Sequence, residues 1–147
     1  MTCLTAAQNT AWRFFLKTHA ALLEQVEQAL KQANLPDLSW YDVLWALEEA
    51  LDHRLRLHEL ADALVLQRSN LTRLVDRMEQ AGLVKREICD SDRRGAFATI
   101  TQEGLTLRQQ MWQVYSQSIH KHFAQRLSEE QIAVLTQAFR ILLTAQS

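Results

Sequence analysis

Apolar residues recur every three to four positions along most of the chain, and the places where that rhythm fails mark the element boundaries. Thr5-Ala6-Ala7-Gln8 has the layout of a capping box, followed at helical spacing by Trp12, Phe15, His19, Leu22, Val26, Leu30 and Ala33. Asn34 and Pro36 stop this first helix. At about 1.5 Å per residue it runs roughly 43 Å, longer than a compact monomer of this size needs, so part of it is expected to meet a second subunit. Ser39-Trp40-Tyr41-Asp42 predicts another capped start, with Trp40, Val43, Leu44, Leu47 and Leu51 on the apolar side of a short helix. A break at Asp52-His53 precedes a third helix, Leu57 to Leu64. Val65-Leu66-Gln67 then leads into a fourth over about Arg68 to Ala81, which Gly82 closes.

After Gly82 the period changes. Residues 83–88 and 96–100 predict two strands, joined by a charged turn from Cys89 to Gly95. Thr101 caps a long helix carrying Leu105, Met111, Trp112, Tyr115, Ile119, Phe123 and Leu127, and Ser128-Glu129-Glu130-Gln131 opens a last helix through Leu142. The expected fold is mainly α with a small β-hairpin.

Composition adds bounds. A chain of 147 residues, 48% hydrophobic and 22% charged, is one domain's worth of globular sequence. It has no apolar run long enough to span a bilayer and no basic-then-apolar leader, so a cytoplasmic location without a membrane partner is expected. Cys3 and Cys89 form neither a CxxC motif nor a disulfide framework. His120 and His122 point to different helix faces, and His53 and His58 lack the i,i+4 spacing of a helical ligand pair, so no metal or other cofactor is expected. Three glycines are too few for a dinucleotide or phosphate loop, and neither HExxH nor GxSxG occurs; an enzyme is not expected.

The formal net charge of −1 argues against a nucleic-acid partner until its distribution is considered. From Met1 to Leu51, Arg13, Lys17 and Lys31 face twice as many acids. Between Arg68 and Arg94 the cations Arg68, Arg73, Arg77, Lys85, Arg86, Arg93 and Arg94 outnumber the acids. That is where two short helices meet in a helix-turn-helix, whose second helix can lie in a major groove about 12 Å wide. Leu71, Leu74, Val75 and Met78 form one face of this fourth helix, leaving Ser69, Asn70, Thr72, Arg73, Asp76 and Arg77 elsewhere around it. Arg73 can read guanine in a bidentate contact, Asn70 can pair with adenine, and Arg68, Ser69 and Thr72 suit phosphates or bases. Asp92, Arg93, Arg94 and Gly95 form the hairpin tip, whose two guanidinium groups suit a narrow, electronegative minor groove. A solvated surface helix and a solvated charged turn are the plainer alternatives.

The segment from Leu71 to Glu79, continuing through Ala81-Gly82-Leu83-Val84 into Asp90-Ser91-Asp92-Arg93-Arg94-Gly95, then Ile100-Thr101 and Gly104, resembles the multiple-antibiotic-resistance regulator (MarR) family. Asp92, Arg94, Ile100 and Thr101 fill that family's D-x-R, five-residue, aliphatic-threonine wing signature. The resemblance implies a winged helix-turn-helix in one domain, 1–147, with dimerisation helices in 1–37 and 101–147 and the DNA-binding lobe in 38–100. It implies a homodimer on double-stranded DNA, with Arg94 as the wing-tip minor-groove residue and Asp92 as its orienting partner. The fourth helices would lie about one DNA turn apart on a pseudo-palindrome, and repression is the expected mode. Two departures stand out: His58 occupies the position where the family often begins its third helix with Ser or Thr, and Glu87, Asp90 and Asp92 dilute the wing's positive charge.

The resemblance further implies release of DNA by a small aromatic or anionic effector held between the dimerisation helices and the DNA-binding lobe. Trp12, Phe15, Trp40, Asp42, Trp45 and Arg86 are candidates to hold it, and Trp12, Asp42 and Arg86 resemble part of the pattern of urate-responsive members. Aromatics at helical spacing also suit a plain core, and Asp42 suits the Ser39 capping box. Redox sensing through Cys3 or Cys89, with Lys85 and Arg86 close in sequence to Cys89, is a competing signal. A dimeric interaction module that binds no DNA is the alternative of a different class.

Overall fold

Six helices and three strands follow one another in the computed structural model, which describes residues 3–66, 70–88 and 96–147. They are α1 (Ala6–Gln32), α2 (Leu38–Glu49), β1 (Arg54–Arg56), α3 (Leu57–Ala63), α4 (Leu71–Gln80), β2 (Val84–Ile88), β3 (Ala96–Ile100), α5 (Gln102–His122) and α6 (Glu129–Ala145). The mainly helical fold with a β-hairpin is as expected. The chain divides into two compact units, Leu30–Val114 and Met1–Ala29 together with Tyr115–Ser147.

In the larger unit the hairpin gains a strand that the sequence pattern does not announce. The antiparallel sheet has the order β1-β3-β2, with Leu55 opposite Ala98 and Arg86 opposite Ala98 on the other side. β1 has three residues, of which only Leu55 is apolar, too little for a period-two signal. The chain enters it through Leu51–His53, a 3-10 turn in which Asp52 and His53 both have positive φ (57° and 55°). Two consecutive left-handed non-glycine residues are costly, and the turn they make redirects the chain from α2 into the sheet edge. By strand alternation Leu55, Val84, Ala98 and Ile100 turn toward the helices, where Leu44, Leu47, Leu60, Val75 and Met78 complete a buried core.

Local chemistry moves several boundaries. α2 is capped by Asp37, not Ser39: the Asp37 carboxylate accepts from the Ser39 N–H at 3.0 Å and from the Ser39 hydroxyl. α3 has Arg56 at its N-cap, so His58 stands inside the helix. Arginine has no acceptor, and the cap is one-sided, with the Glu59 carboxylate accepting from the Arg56 N–H at 2.9 Å. α4 begins at Leu71 behind Asn70, whose φ of 61° makes it a left-handed N-cap; the predicted start at Arg68 lies outside the described residues. At its other end Gly82 (φ 78°) and Leu83 donate to the carbonyls of Glu79 and Met78, the paired bonds of a Schellman stop.

Thr101 then joins three elements. Its hydroxyl donates to the Gly82 carbonyl at 2.7 Å and accepts from the Gly104 N–H at 3.1 Å, so one side chain caps α5 against the end of α4. Gly104 permits that approach. A Cβ there would meet the Leu83 carbonyl oxygen and, at 2.7 Å, Cγ1 of Ile100.

The smaller unit holds most of α1, the end of α5 and α6. Thr5 and Gln8 form the expected capping box on α1, and Ser128 and Gln131 the one on α6. α5 does not continue to Leu127: Phe123 leaves helical geometry, and a 3-10 turn at Ala124–Arg126 intervenes. α6 runs three residues past Leu142, to Ala145. No helix among the described residues is long and apolar enough to cross a membrane.

Candidate nucleic-acid interface

α4 has the sidedness that its sequence predicts. Leu74, Val75 and Met78 are buried in the core, while Asn70, Thr72, Arg73 and Arg77 are exposed. Asn70, Arg73, Asp76 and Arg77 line an open surface depression of about 490 Å³. Two guanidinium groups, an amide and a hydroxyl thus share an exposed helix surface whose opposite side is fixed by packing. This donor-rich set matches what base edges and phosphates accept. Arg68, Ser69, Asp92, Arg93 and Arg94 lie outside the described residues, as does Cys89.

Arg86 locks β2 onto this helix. Its Nη1 pairs with the Asp76 carboxylate at 2.6 Å, Nη2 donates to the Thr72 carbonyl at 3.3 Å, and its own backbone N–H donates to Glu79 at 2.8 Å. The strand parity that puts Val84 into the core also aims Arg86 at α4. Arg86 is among the candidates to hold an effector, and its side chain is engaged by the helix surface it braces.

Asp42 is likewise engaged elsewhere. It is 6% exposed, and its carboxylate accepts from the Val65 N–H (3.1 and 3.0 Å) and the Leu66 N–H (2.8 Å). It does not complete a Ser39 cap. An acid at this depth needs such partners, and the turn after α3 supplies them.

The remaining effector candidates fall into different units. Trp12 and Phe15 belong to the smaller one, where Phe15 lies 5.8 Å from Trp12 and 6.2 Å from Phe139 between ring centroids. Trp40 packs against the core of the larger unit. Trp45 is half-exposed and stacks on Tyr41 at 6.4 Å, Trp112 stacks on the same ring at 6.1 Å, and the Arg108 guanidinium sits 5.7 Å from the Trp45 ring. Arg108 also pairs with Glu48 through two contacts. Burial pushes the Tyr41 phenol above its ordinary value, against the lowering pull of Arg108.

Two cations that sequence reasoning passed over lie on the outer sheet face. Arg54 and Arg56 place their guanidinium carbons 4.7 and 4.8 Å from the Phe97 ring centroid, and Arg54 reaches Glu87 at 4.0 Å. The alternation Arg-Leu-Arg was the available signal, but three residues are too few to separate it from a loop. Among the described residues no cluster of His, Cys, Asp and Glu could hold a metal ion, and Cys3 is an exposed free thiol.

The MarR family model matches residues 33–95, the stretch that runs from the end of α1 through the helix-turn-helix to the wing. The HTH-type transcriptional regulator FarR of Neisseria gonorrhoeae is 30% identical over 96 residues, 65% of this chain and 64% of that protein. The chain therefore spans less than two thirds of that curated relative's length. Solved structures match over nearly the whole chain. AbsC, a MarR family transcriptional regulator from Streptomyces coelicolor, is 33% identical with a TM-score of 0.85, covering 99% of this chain and 98% of its own. A second Streptomyces coelicolor MarR family regulator, solved in complex with DNA, is 30% identical with a TM-score of 0.86, covering 99% and 94%. These relatives are transcriptional regulators and not enzymes. With its winged helix-turn-helix and its likeness to AbsC over almost its full length, the chain belongs to the MarR family of transcriptional regulators.

Proposed function

We propose that this regulator binds double-stranded DNA as a homodimer, setting α4 of each copy into the major groove and the wing residues Arg93 and Arg94 into the adjacent minor groove. The observation that carries this is α4 itself, with Asn70, Thr72, Arg73 and Arg77 exposed over a buried Leu74, Val75 and Met78. Arg73 and Asn70 read base edges; Arg68, Ser69, Thr72 and Arg77 contact phosphates or bases; Asp92 orients Arg94. The complex of a 30%-identical relative with DNA supports the same assignment. Arg94→Ala should weaken duplex binding while leaving the dimer intact. A wild-type protein that binds no duplex at low salt overturns the proposal.

Dimerisation is assigned to the terminal helices, residues 1–37 and 101–147, with 38–100 as the DNA-binding lobe of one domain. The smaller unit supports it: α1, the turn after α5 and α6 line an almost wholly apolar cavity of about 950 Å³, among them Trp12, Phe15, Phe139 and Leu142. Leu143 is 71% exposed and Ile141 60%. So much exposed apolar surface calls for a partner, and a second copy buries it symmetrically. Two copies then hold their α4 helices about 34 Å apart, the repeat of a pseudo-palindromic site. Repression follows where such a dimer blocks polymerase on a promoter.

The proposed signal is a small aromatic or anionic effector that changes this spacing; about 1–3 kcal/mol of coupling suffices to shift occupancy several-fold to a hundredfold. Trp12, Phe15, Trp40, Asp42, Trp45 and Arg86 are its candidate contacts, with Asp42 and Arg86 also held by their structural partners. Titrating urate and simple phenolates into the operator complex tests it, and unchanged binding with both removes it.

A further inference from the structure

Between α3 and α4 the chain has almost nothing apolar to hold it down. Leu64 is buried, but Val65 is 81% exposed and Leu66 37%. Hydrophobic burial therefore does little to fix Val65 and Leu66, yet α4 can be set into a groove only if the chain after α3 delivers it at one angle. What holds Val65 and Leu66 is the Asp42 carboxylate, 23 and 24 residues earlier in the sequence, which accepts both of their backbone N–H groups. Asp42 lies on α2, whose neighbouring Val43 and Leu44 are fully buried in the core, so the carboxylate is anchored on a rigid element. Charge-assisted bonds to two successive N–H groups fix the direction of the chain as well as its position.

We infer that Asp42 is a positioning residue for DNA recognition: it clasps the turn of the helix-turn-helix from α2 and so sets the approach of α4 without touching DNA. The inference rests on the DNA-binding function proposed above. Its consequence is specific. Loss of the carboxylate should blur the alignment of Arg73 and Asn70 with base edges more than it weakens attraction to phosphates, because phosphate contacts tolerate displacement and bidentate base contacts do not.

The test uses the full chain and a duplex selected from a random pool with the wild-type protein, with a scrambled duplex as control. Wild type, Asp42→Asn and Asp42→Ala are compared for affinity to each duplex, amide exchange at Val65 and Leu66, and thermal melting. Asp42→Ala should bind the selected duplex at least about tenfold more weakly, change less on the scrambled one, and lose protection at both amides. Asp42→Asn keeps one acceptor oxygen and should fall between. Wild-type affinity and discrimination in both variants would overturn the inference while leaving DNA binding by α4 intact. So would loss of the cooperative melt in both, which would make Asp42 a folding residue. A wild-type protein that selects no duplex would remove the DNA-binding function itself, and the positioning role with it.

Discussion

At the scale of single residues, partly buried polar groups gather at two places: the base of α4 and the α2–α5 contact. Arg86 joins β2 to α4 through Asp76 and the Thr72 carbonyl, with its side chain only about a quarter exposed. Arg86→Ala should lower unfolding stability by about 1–2 kcal/mol in urea titrations and weaken operator binding, and Arg86→Lys should restore only part, because one ammonium cannot make the forked contact. Gly104→Ala forces a Cβ against the Leu83 carbonyl and Ile100; a cost of about 2–3 kcal/mol is expected in the same assay. Tyr41 carries a pH dependence. Its folded-state pKa is raised above the ordinary 10.0, so folding favours the neutral phenol; that contribution is fully present below pH 10 and is lost as pH rises through the folded value. Melting curves above pH 10 should therefore fall more steeply for the wild type than for Tyr41→Phe.

At the scale of elements, the long amphipathic helices, the hairpin and the apolar face of α4 were legible in the sequence, because each carries several periods of a repeating pattern. What was not legible depended on single residues far apart. β1 has one apolar residue and is recognised only by its pairing with β3. The capping of α4 by Asn70 and of α2 by Asp37 turns in each case on one backbone conformation or one side-chain bond. The task of Asp42 was hidden for the same reason: its partners lie more than twenty residues away, and the nearby Ser39 offered a plausible but incorrect local one. Of the candidate site residues, Thr72, Arg73 and Arg77 are exposed on α4 where helical periodicity put them, whereas Asn70 lies just before the helix as its left-handed N-cap. Helix capping gives a direct check. His58 stands inside α3, so His58→Ser should change stability by no more than a few tenths of a kcal/mol, whereas Ser128→Ala removes a formed cap from α6 and should cost about 1 kcal/mol.

At the scale of the whole molecule, two features fit the same function. The formal charge of −1 gives no general attraction to nucleic acid, and the proposed function assigns affinity to the local cations of α4 and the wing. The exposed apolar side chains of α1 and α6 fit the proposed dimer, in which two such heads would engage both half-sites at once. Leu143→Glu should shift sedimentation from dimer to monomer and abolish tight operator binding, while leaving the larger unit's cooperative melt in place. The central claim, that α4 reads DNA, is tested most directly by the affinity of wild type and Arg73→Ala for a selected operator and for its single-base variants. Arg73→Ala should bind about 5- to 150-fold more weakly, the equivalent of 1–3 kcal/mol, and should lose discrimination at one base-pair position in each half-site. Equal affinities and unchanged discrimination would contradict the account.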